Sequence, residues 1–500
     1  MTSLRIIDPA VYMLSMPMAV VLGGVLLLWV LRVFTRSKSR SRNRGSAADS
    51  KKLIRARLPK GSFGWPILGE TIEFARSPEN FAASHHKRYG TIFKSNLFLR
   101  PVILGTTPDF TRFVCNNSHL FTVETPANVR KLGTKACVVK DGPSHMSVKK
   151  VLQKALLPEA LRSRVEMLEN IILQNLASWE SEHCGNVVGR HGCQRITLET
   201  ATYILFGVPN IGSTPEGQSA LSHLDSIGHA LFAFPVNLPG SALNKAIQAK
   251  KSLNLYIKHL VEKRRDHEHA KTDMLGVLLA AKDDPNAQED VKALDEESVL
   301  DNLVGMWFGF YETTSTTLTW VLKFLAEYPE VFRHVQAEQE EILKGKDRSV
   351  NKPRLTWDDT RKMVYTLKFF KELQRMISLG AIVPRSAAED VEYNGYLIPK
   401  GWAVFPMTNF IHSDPNIYPD PEVFNPDRFD DPPKPYTYLP FSSGPHMCPG
   451  AEVAKLISFI LIHHLTTTYV FEKTGLNRGT ERRPFPTPVG GYPINIHRRK

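Results

Sequence analysis

Between Asp295 and Tyr328 the sequence specifies one helix long enough to cross an entire domain. Asp295-Glu296-Glu297 places acids at an amino-terminal turn, where the helix dipole favours them, and Pro329 stops the run because proline cannot continue the hydrogen-bond ladder. At a rise of 1.5 Å per residue this is about 50 Å of helix. Its middle, Leu303-Val304-Gly305-Met306-Trp307-Phe308-Gly309-Phe310-Tyr311, is apolar on every face, so other elements must surround it. A chain carrying such a helix is expected to wrap a mainly helical body around it.

The helix then breaks its own rule with Glu312-Thr313-Thr314-Ser315-Thr316-Thr317. A carboxylate and hydroxyls in a core are costly unless water, a ligand or a partner meets them, which predicts a local distortion beside a cavity. The alternative is that the hydroxyls bond back to carbonyls of their own helix.

Apolar positions at three-to-four-residue spacing predict further helices at Glu159 to Trp179, Leu221 to Leu231, Lys245 to Arg265, Val331 to Lys344, Trp357 to Leu379 and Ala451 to Val470. Short β-like runs lie at Thr91 to Phe98, Pro101 to Leu104, Val391 to Leu397 and Ala403 to Pro406. There is no internal repeat. With 42% apolar and 23% charged residues the chain is globular, which excludes disorder. Five scattered cysteines, none in a Cys-x-x-Cys pair, exclude a secreted disulfide framework and favour a reducing compartment.

The net charge of +13 suggests nucleic acid or a membrane until it is located. Arg32 to Lys60 holds eleven basic residues against one acid, Asp49, so the remainder is nearly balanced. A patch confined to one segment without interleaved aromatics argues against nucleic acid. Just before it, Pro9 to Leu31 contains no charge, and Met13 to Leu31 is about long enough to cross a ~30 Å hydrocarbon core. The basic cluster follows the apolar run, which predicts a single spanning helix rather than a cleaved signal, with the basic side cytoplasmic. The expected organisation is a membrane anchor at 1–34, a basic Ser/Gly-rich linker at 35–57 and one catalytic body at 58–500.

Two further constellations carry the chemistry. Glu372 and Arg375 share one helix face and can form a charge-assisted fork, which Arg428, between Phe424 and Phe429, could join. In Pro440-Phe441-Ser442-Ser443-Gly444-Pro445-His446-Met447-Cys448-Pro449-Gly450, a cysteine lies on a tight Gly/Pro loop whose amides can face the sulfur. A helix begins just after it, and its amino terminus favours a thiolate suited to ligating iron.

In order and separation, Phe441-x-x-Gly444-x-x-x-Cys448-x-Gly450, Glu372-x-x-Arg375, Pro426-x-Arg428-Phe429 and Glu312-Thr313 resemble the motifs of the cytochrome P-450 family of haem-thiolate monooxygenases. The resemblance covers the body from about Leu58 onward. It implies the mainly helical fold of that family with a small β-sheet region, haem b with Cys448 as axial ligand, and Glu312 and Thr313 as the groups that organise water and supply protons to bound oxygen. It nominates His145, Lys149, Arg385 and His446 for the haem propionates, Phe441, Gly444 and Gly450 for the cofactor loop, and Glu372, Arg375 and Arg428 for a structural network. Lys149 stands where the family commonly has Arg, and His446 where Arg is usual. Phe310 stands where a small residue is usual, so its ring is expected either to narrow the oxygen-side groove or to reshape the substrate cavity.

Blocks such as Gly64-Trp65-Pro66-Ile67-Leu68-Gly69-Glu70-Thr71 and Pro235-Val236-Asn237-Leu238-Pro239-Gly240 resemble the plant microsomal members, the abscisic acid hydroxylases and ent-kaurenoic acid oxidases among them. That likeness implies an apolar terpenoid, sterol or hormone-like substrate, dioxygen, and electrons from an NADPH-dependent P-450 reductase at the endoplasmic reticulum membrane. The substrate lining is expected from Phe121 to Leu132, Phe232 to Val236, Leu303 to Phe310, Leu379 to Val383 and Val489 to Tyr492. Two other readings stay open: a haem-thiolate isomerase or dehydratase working without dioxygen, and a non-catalytic haem-binding membrane protein.

Overall fold

A computed structural model describes residues 56–499, apart from 67, 266–271, 347–353, 476–478 and 483–484. The expected anchor at 1–34 and nearly all of the linker at 35–57 lie outside the described residues. Among the described residues no helix is long and apolar enough to cross a membrane.

The chain divides into two compact units, one ending at Leu104 and including Ala387–Val404, the other formed by Gly105–Ser386 and Phe405–Lys500. The smaller unit contains the helix Pro78–Tyr89, which starts where the Ser77 side chain accepts the amide of Asn80, and the strand Ile92–Leu97. It also holds the antiparallel pair Val391–Tyr393 and Tyr396–Ile398.

All the residues expected to act chemically lie in the larger unit. Its principal helices here are α1 (Gly142–Lys154), α2 (Gly189–Phe206), α3 (Glu296–Glu327), α4 (Val364–Ile377) and α5 (Ala451–Thr467). α3 begins and ends as its sequence dictates. Asp295 Oδ1 accepts the Ser298 amide at 2.9 Å and its hydroxyl at 2.6 Å, and Pro329 opens the next helix, Pro329–Lys344. The expected distortion at Glu312 to Thr317 does not occur. α3 is continuous because its hydroxyls satisfy themselves: Thr316 Oγ1 donates to Glu312 O at 2.8 Å, Thr317 Oγ1 to Thr313 O at 3.0 Å and Thr319 Oγ1 to Ser315 O at 2.7 Å.

α2, which the periodicity did not reveal, packs along α3 more extensively than any other two described elements pack together. It is buried on nearly every side, so no polar face marks it out. Two expected helices are interrupted. The stretch from Glu159 turns at Ser163 between Pro158–Arg162 and Val165–Ser181, and the stretch from Trp357 turns at Met363 before α4.

Strands β1 (Asn186–Val188), β2 (Tyr469–Lys473) and β5 (Pro493–Arg498) form an antiparallel sheet in the order β1-β5-β2, with Ile494 opposite Val187 and Ile496 opposite Phe471. β3 (Thr480–Arg482) and β4 (Pro486–Pro488) form a separate antiparallel pair. Trp320 Nε1 on α3 donates to Pro486 O at 2.8 Å and so fixes β4 to the central helix.

Candidate active site

The cysteine loop is built by its backbone. Cys448 N donates to Phe441 O at 2.9 Å and Met447 N to Gly444 O at 3.0 Å, closing a tight turn over residues 441–448. Gly444 adopts φ +73°, and a Cβ there would stand 2.6 Å from Cys115 O, so only glycine fits. Gly450 precedes α5, and its amide faces the Cys448 sulfur. Burial pushes the Cys448 thiol up, while the Gly450 amide and the charge of Lys149 pull it down. Both opposing groups favour a thiolate, the form that binds iron.

Around this loop the fold collects basic side chains, of which His446 is held neutral because burial and the neighbouring His145 and Arg385 push its pKa down to about 4. Lys149 on α1 donates to Pro445 O at 2.5 Å and to Met447 O at 2.6 Å. The rings of His145 and His446 stack at 3.9 Å, with His145 Nε2 3.3 Å from Pro445 O. His446 Nε2 lies 3.0 Å from Asp141 Oδ1. Arg385 is buried and donates to the adjoining Pro384 O at 2.9 Å. Burial works against the charge of both Lys149 and Arg385. Among the described residues neither forms an ion pair with a carboxylate, so both hold positive charge available to an anionic ligand. The four residues nominated for propionates therefore come together beside the loop. A groove of about 400 Å³ lined by Met146, Lys149, Lys150, Gln153 and Met447 runs along the same region.

On α3 one side is open. Gly305 and Gly309 are exposed, and a Cβ at either would meet nothing within 4 Å, although Leu303, Val304, Trp307 and Phe310 beside them are buried. Thr313, one turn further on, is half-buried, and its hydroxyl donates to Gly309 O at 2.6 Å. The i, i+4, i+8 spacing puts these three on one face. Phe310 belongs to the hydrophobic core, so its ring is turned into packing. Among the other expected lining residues, Phe121 and Val383 are buried, whereas Gly380 borders open space.

Glu312 is almost fully buried, and its Oε1 accepts Arg190 Nη2 at 2.8 Å. Burial pushes its carboxyl up and Arg190 opposes that shift. Sequence reasoning missed Arg190, a lone charge far from its partner in the chain. Further from the loop, Arg375 grips Glu372 bidentately at 2.7 and 2.8 Å and donates to His412 O and Pro421 O. Arg428 Nε adds a third side-chain donor to Glu372 at 3.2 Å, beside the Asn425 amide at 3.1 Å.

The chemistry of this donor set fits haem: an amide-facing cysteine, buried cations lacking carboxylate partners, and an open face on α3, which packs against α5 directly after the cysteine loop. Comparison with known proteins agrees. The family described as "Cytochrome P450" matches residues 59–486. Abscisic acid 8'-hydroxylase 2 of Arabidopsis thaliana is 37% identical, covering 88% of this chain and 90% of its own. Abscisic acid 8'-hydroxylase 2 of Oryza sativa subsp. indica is 36% identical, covering 96% and 94%. The solved retinoic acid bound cyanobacterial CYP120A1 superposes with a TM-score of 0.80 at 26% identity, covering 89% of this chain and all of that one.

Proposed function

We propose, from the premise that this chain belongs to the cytochrome P450 family and is a haem-thiolate monooxygenase, that it hydroxylates an apolar isoprenoid with Cys448 as the haem ligand. The observation that carries this reading is the open stripe of Gly305, Gly309 and Thr313 along an otherwise largely buried helix. It leaves room for an apolar ligand beside a single hydroxyl. The names of the abscisic acid hydroxylases support an isoprenoid hormone or a related terpenoid or sterol as the substrate class.

Haem, when bound, supplies the activation of dioxygen by two reductase-derived electrons and the insertion of one oxygen atom into a C–H bond. The protein's part is binding, orientation and proton handling. His145, Lys149, Arg385 and His446 would bind the propionates, the lysine and arginine by charge and the histidines by hydrogen bonds, and Phe441, Gly444 and Gly450 would shape the loop so that amides face the thiolate. Thr313 would exchange its bond to Gly309 O for one to water, and Glu312, resting as a carboxylate, would take up and pass on the proton that follows. Glu372, Arg375 and Arg428 would keep the segment before the loop rigid. An NADPH-dependent P-450 reductase would dock on the basic side near Lys149 and Lys150, with residues 1–34 anchoring the protein in the endoplasmic reticulum membrane and the catalytic body facing the cytoplasm.

The test is the ferric absorption spectrum titrated with abscisic acid, ent-kaurenoic acid, a brassinosteroid precursor and several cyclic diterpenes. A low-to-high-spin shift with one of them identifies the substrate class. A haem-loaded protein that responds to none contradicts the isoprenoid reading.

A further inference from the structure

Arg190 is the second residue of α2, and its guanidinium reaches two other elements at once. Nη2 donates to Glu312 Oε1 at 2.8 Å, while Nη1 lies 3.2 Å from Thr316 Oγ1 on α3 and 3.4 Å from Thr487 Oγ1 on β4. The Glu312 side chain is 2% exposed and that of Arg190 17%. The turn after β4 approaches closely: a Cβ on Gly491, at φ +71°, would stand 3.1 Å from Arg190 Cβ. The start of α2, the middle of α3 and the turn at residues 489–491 therefore converge on one charged pair.

A carboxylate buried without a partner takes up a proton, because burial penalises the charged form. The charged groups that bear on Glu312 are few. Arg190 on α2 favours the carboxylate. Asp225, on the helix Pro215–Ala230, opposes it and accepts the neighbouring Tyr311 hydroxyl at 2.8 Å. Without Arg190, burial and Asp225 would act in the same direction. Thr313, whose hydroxyl is bound to Gly309 O, offers the pair no replacement.

We infer that Arg190 is a positioning residue for proton delivery: it holds Glu312 as an oriented carboxylate and ties it to the β4 turn, so that a larger share of the electrons reaches product while the pair is intact. This role presupposes the proposal above that Glu312 handles protons. In coupled turnover, substrate, dioxygen, NADPH and one proton give the alcohol, water and NADP+; the C–H bond and the O–O bond break, and one oxygen atom goes to each product. In the uncoupled path dioxygen, NADPH and one proton give hydrogen peroxide and NADP+, and the O–O bond survives. Misplacing the acid shifts flux from the first path to the second.

The experiment uses the full-length protein with reductase and compares wild type, Arg190→Met, Arg190→Lys, Glu312→Gln and the Arg190→Met/Glu312→Gln double variant at equal haem content. Three readouts are taken: peroxide formed per NADPH, the pH profile of that ratio, and the infrared carbonyl absorption of protonated carboxyl groups. Arg190→Met is expected to raise the peroxide share roughly ten-fold. It should also produce a carboxyl absorption at neutral pH that the double variant lacks, and the double variant should uncouple no further. Arg190→Lys, which keeps the charge and loses the fork, should lie between Arg190→Met and wild type. Unchanged coupling in Arg190→Met together with no new carboxyl absorption overturns the assignment. If Arg190→Met does not assemble with haem, Arg190→Lys and Glu312→Gln decide: wild-type coupling and pH profile in both overturn it equally. A wild type that forms peroxide from NADPH but oxidises no isoprenoid would refute the substrate reading alone, because the infrared and peroxide readouts need no substrate.

Discussion

Lys149 donates to the main-chain oxygen of Met447 at 2.6 Å, so a buried ammonium clamps the residue immediately before Cys448. Its second bond, to Pro445 O at 2.5 Å, holds the same loop from the other end. Removing the amine takes the side-chain donor from Met447 O, leaves Pro445 O only His145 Nε2 at 3.3 Å, and takes a positive charge from beside the sulfur. Lys149→Met is therefore expected to lower haem retention and to make the iron harder to reduce, by on the order of tens of millivolts. Lys149→Arg should preserve both properties. Spectroelectrochemical titration checks this, and an unchanged potential in Lys149→Met would contradict it.

Gly305 separates stability from ligand binding. Alanine is the better helix former by about 1 kcal/mol, and its methyl group would meet no atom within 4 Å. Gly305→Ala should raise the thermal unfolding temperature slightly while weakening or redirecting substrate-induced spectral shifts. If the open face has no part in binding, stability alone will change.

The Glu372–Arg375 pair is buried on both sides, with Arg428 as a further donor. Glu372→Gln leaves the Arg375 guanidinium without its counter-charge, a loss of about 3–5 kcal/mol. The expected result is a protein that unfolds well below the wild-type temperature and retains little haem. Near-normal stability would mean that the carbonyls of His412 and Pro421 suffice to hold Arg375.

His412 predicts the acid limit of the fold. Its Nε2 accepts the Leu439 amide at 2.9 Å and its Nδ1 lies 2.7 Å from Ser378 Oγ, which fixes a neutral ring. Burial, then the Arg375 charge, pushes its pKa from the ordinary 6.5 to about 3. Protons bind more tightly to the state with the higher pKa, here the unfolded chain. The contribution is thus intact above pH 6.5 and is lost as pH falls toward 3, by up to about 1.4 kcal/mol per pH unit from this group. Denaturant midpoints measured against pH should show a shallower acid slope for His412→Asn than for wild type.

What the sequence made legible depended on whether the signal was local. α3 could be bounded to within a residue because Asp295 and Pro329 are themselves its start and stop signals. α2 left no such trace: it opens on Gly189-Arg190-His191-Gly192, is rich in threonine and is buried around most of its circumference, so neither caps nor periodicity betray it. The cysteine loop was readable because its glycines and prolines encode the turn. Arg190 was not, because its role depends on α2 lying against α3, a tertiary fact. At Phe310 the motif left open a narrowed oxygen-side groove or a reshaped substrate cavity, because where a ring packs is also a tertiary fact; the ring is buried in the core, while the neighbouring Gly305 and Gly309 leave the open space.

The most direct measurement is turnover of abscisic acid and related isoprenoids under isotopically labelled dioxygen, with the full-length protein, reductase and NADPH. The account predicts NADPH-dependent formation of a hydroxylated product carrying one labelled oxygen atom, lost on replacement of Cys448 by serine. Conversion that proceeds without NADPH and incorporates no label would contradict it.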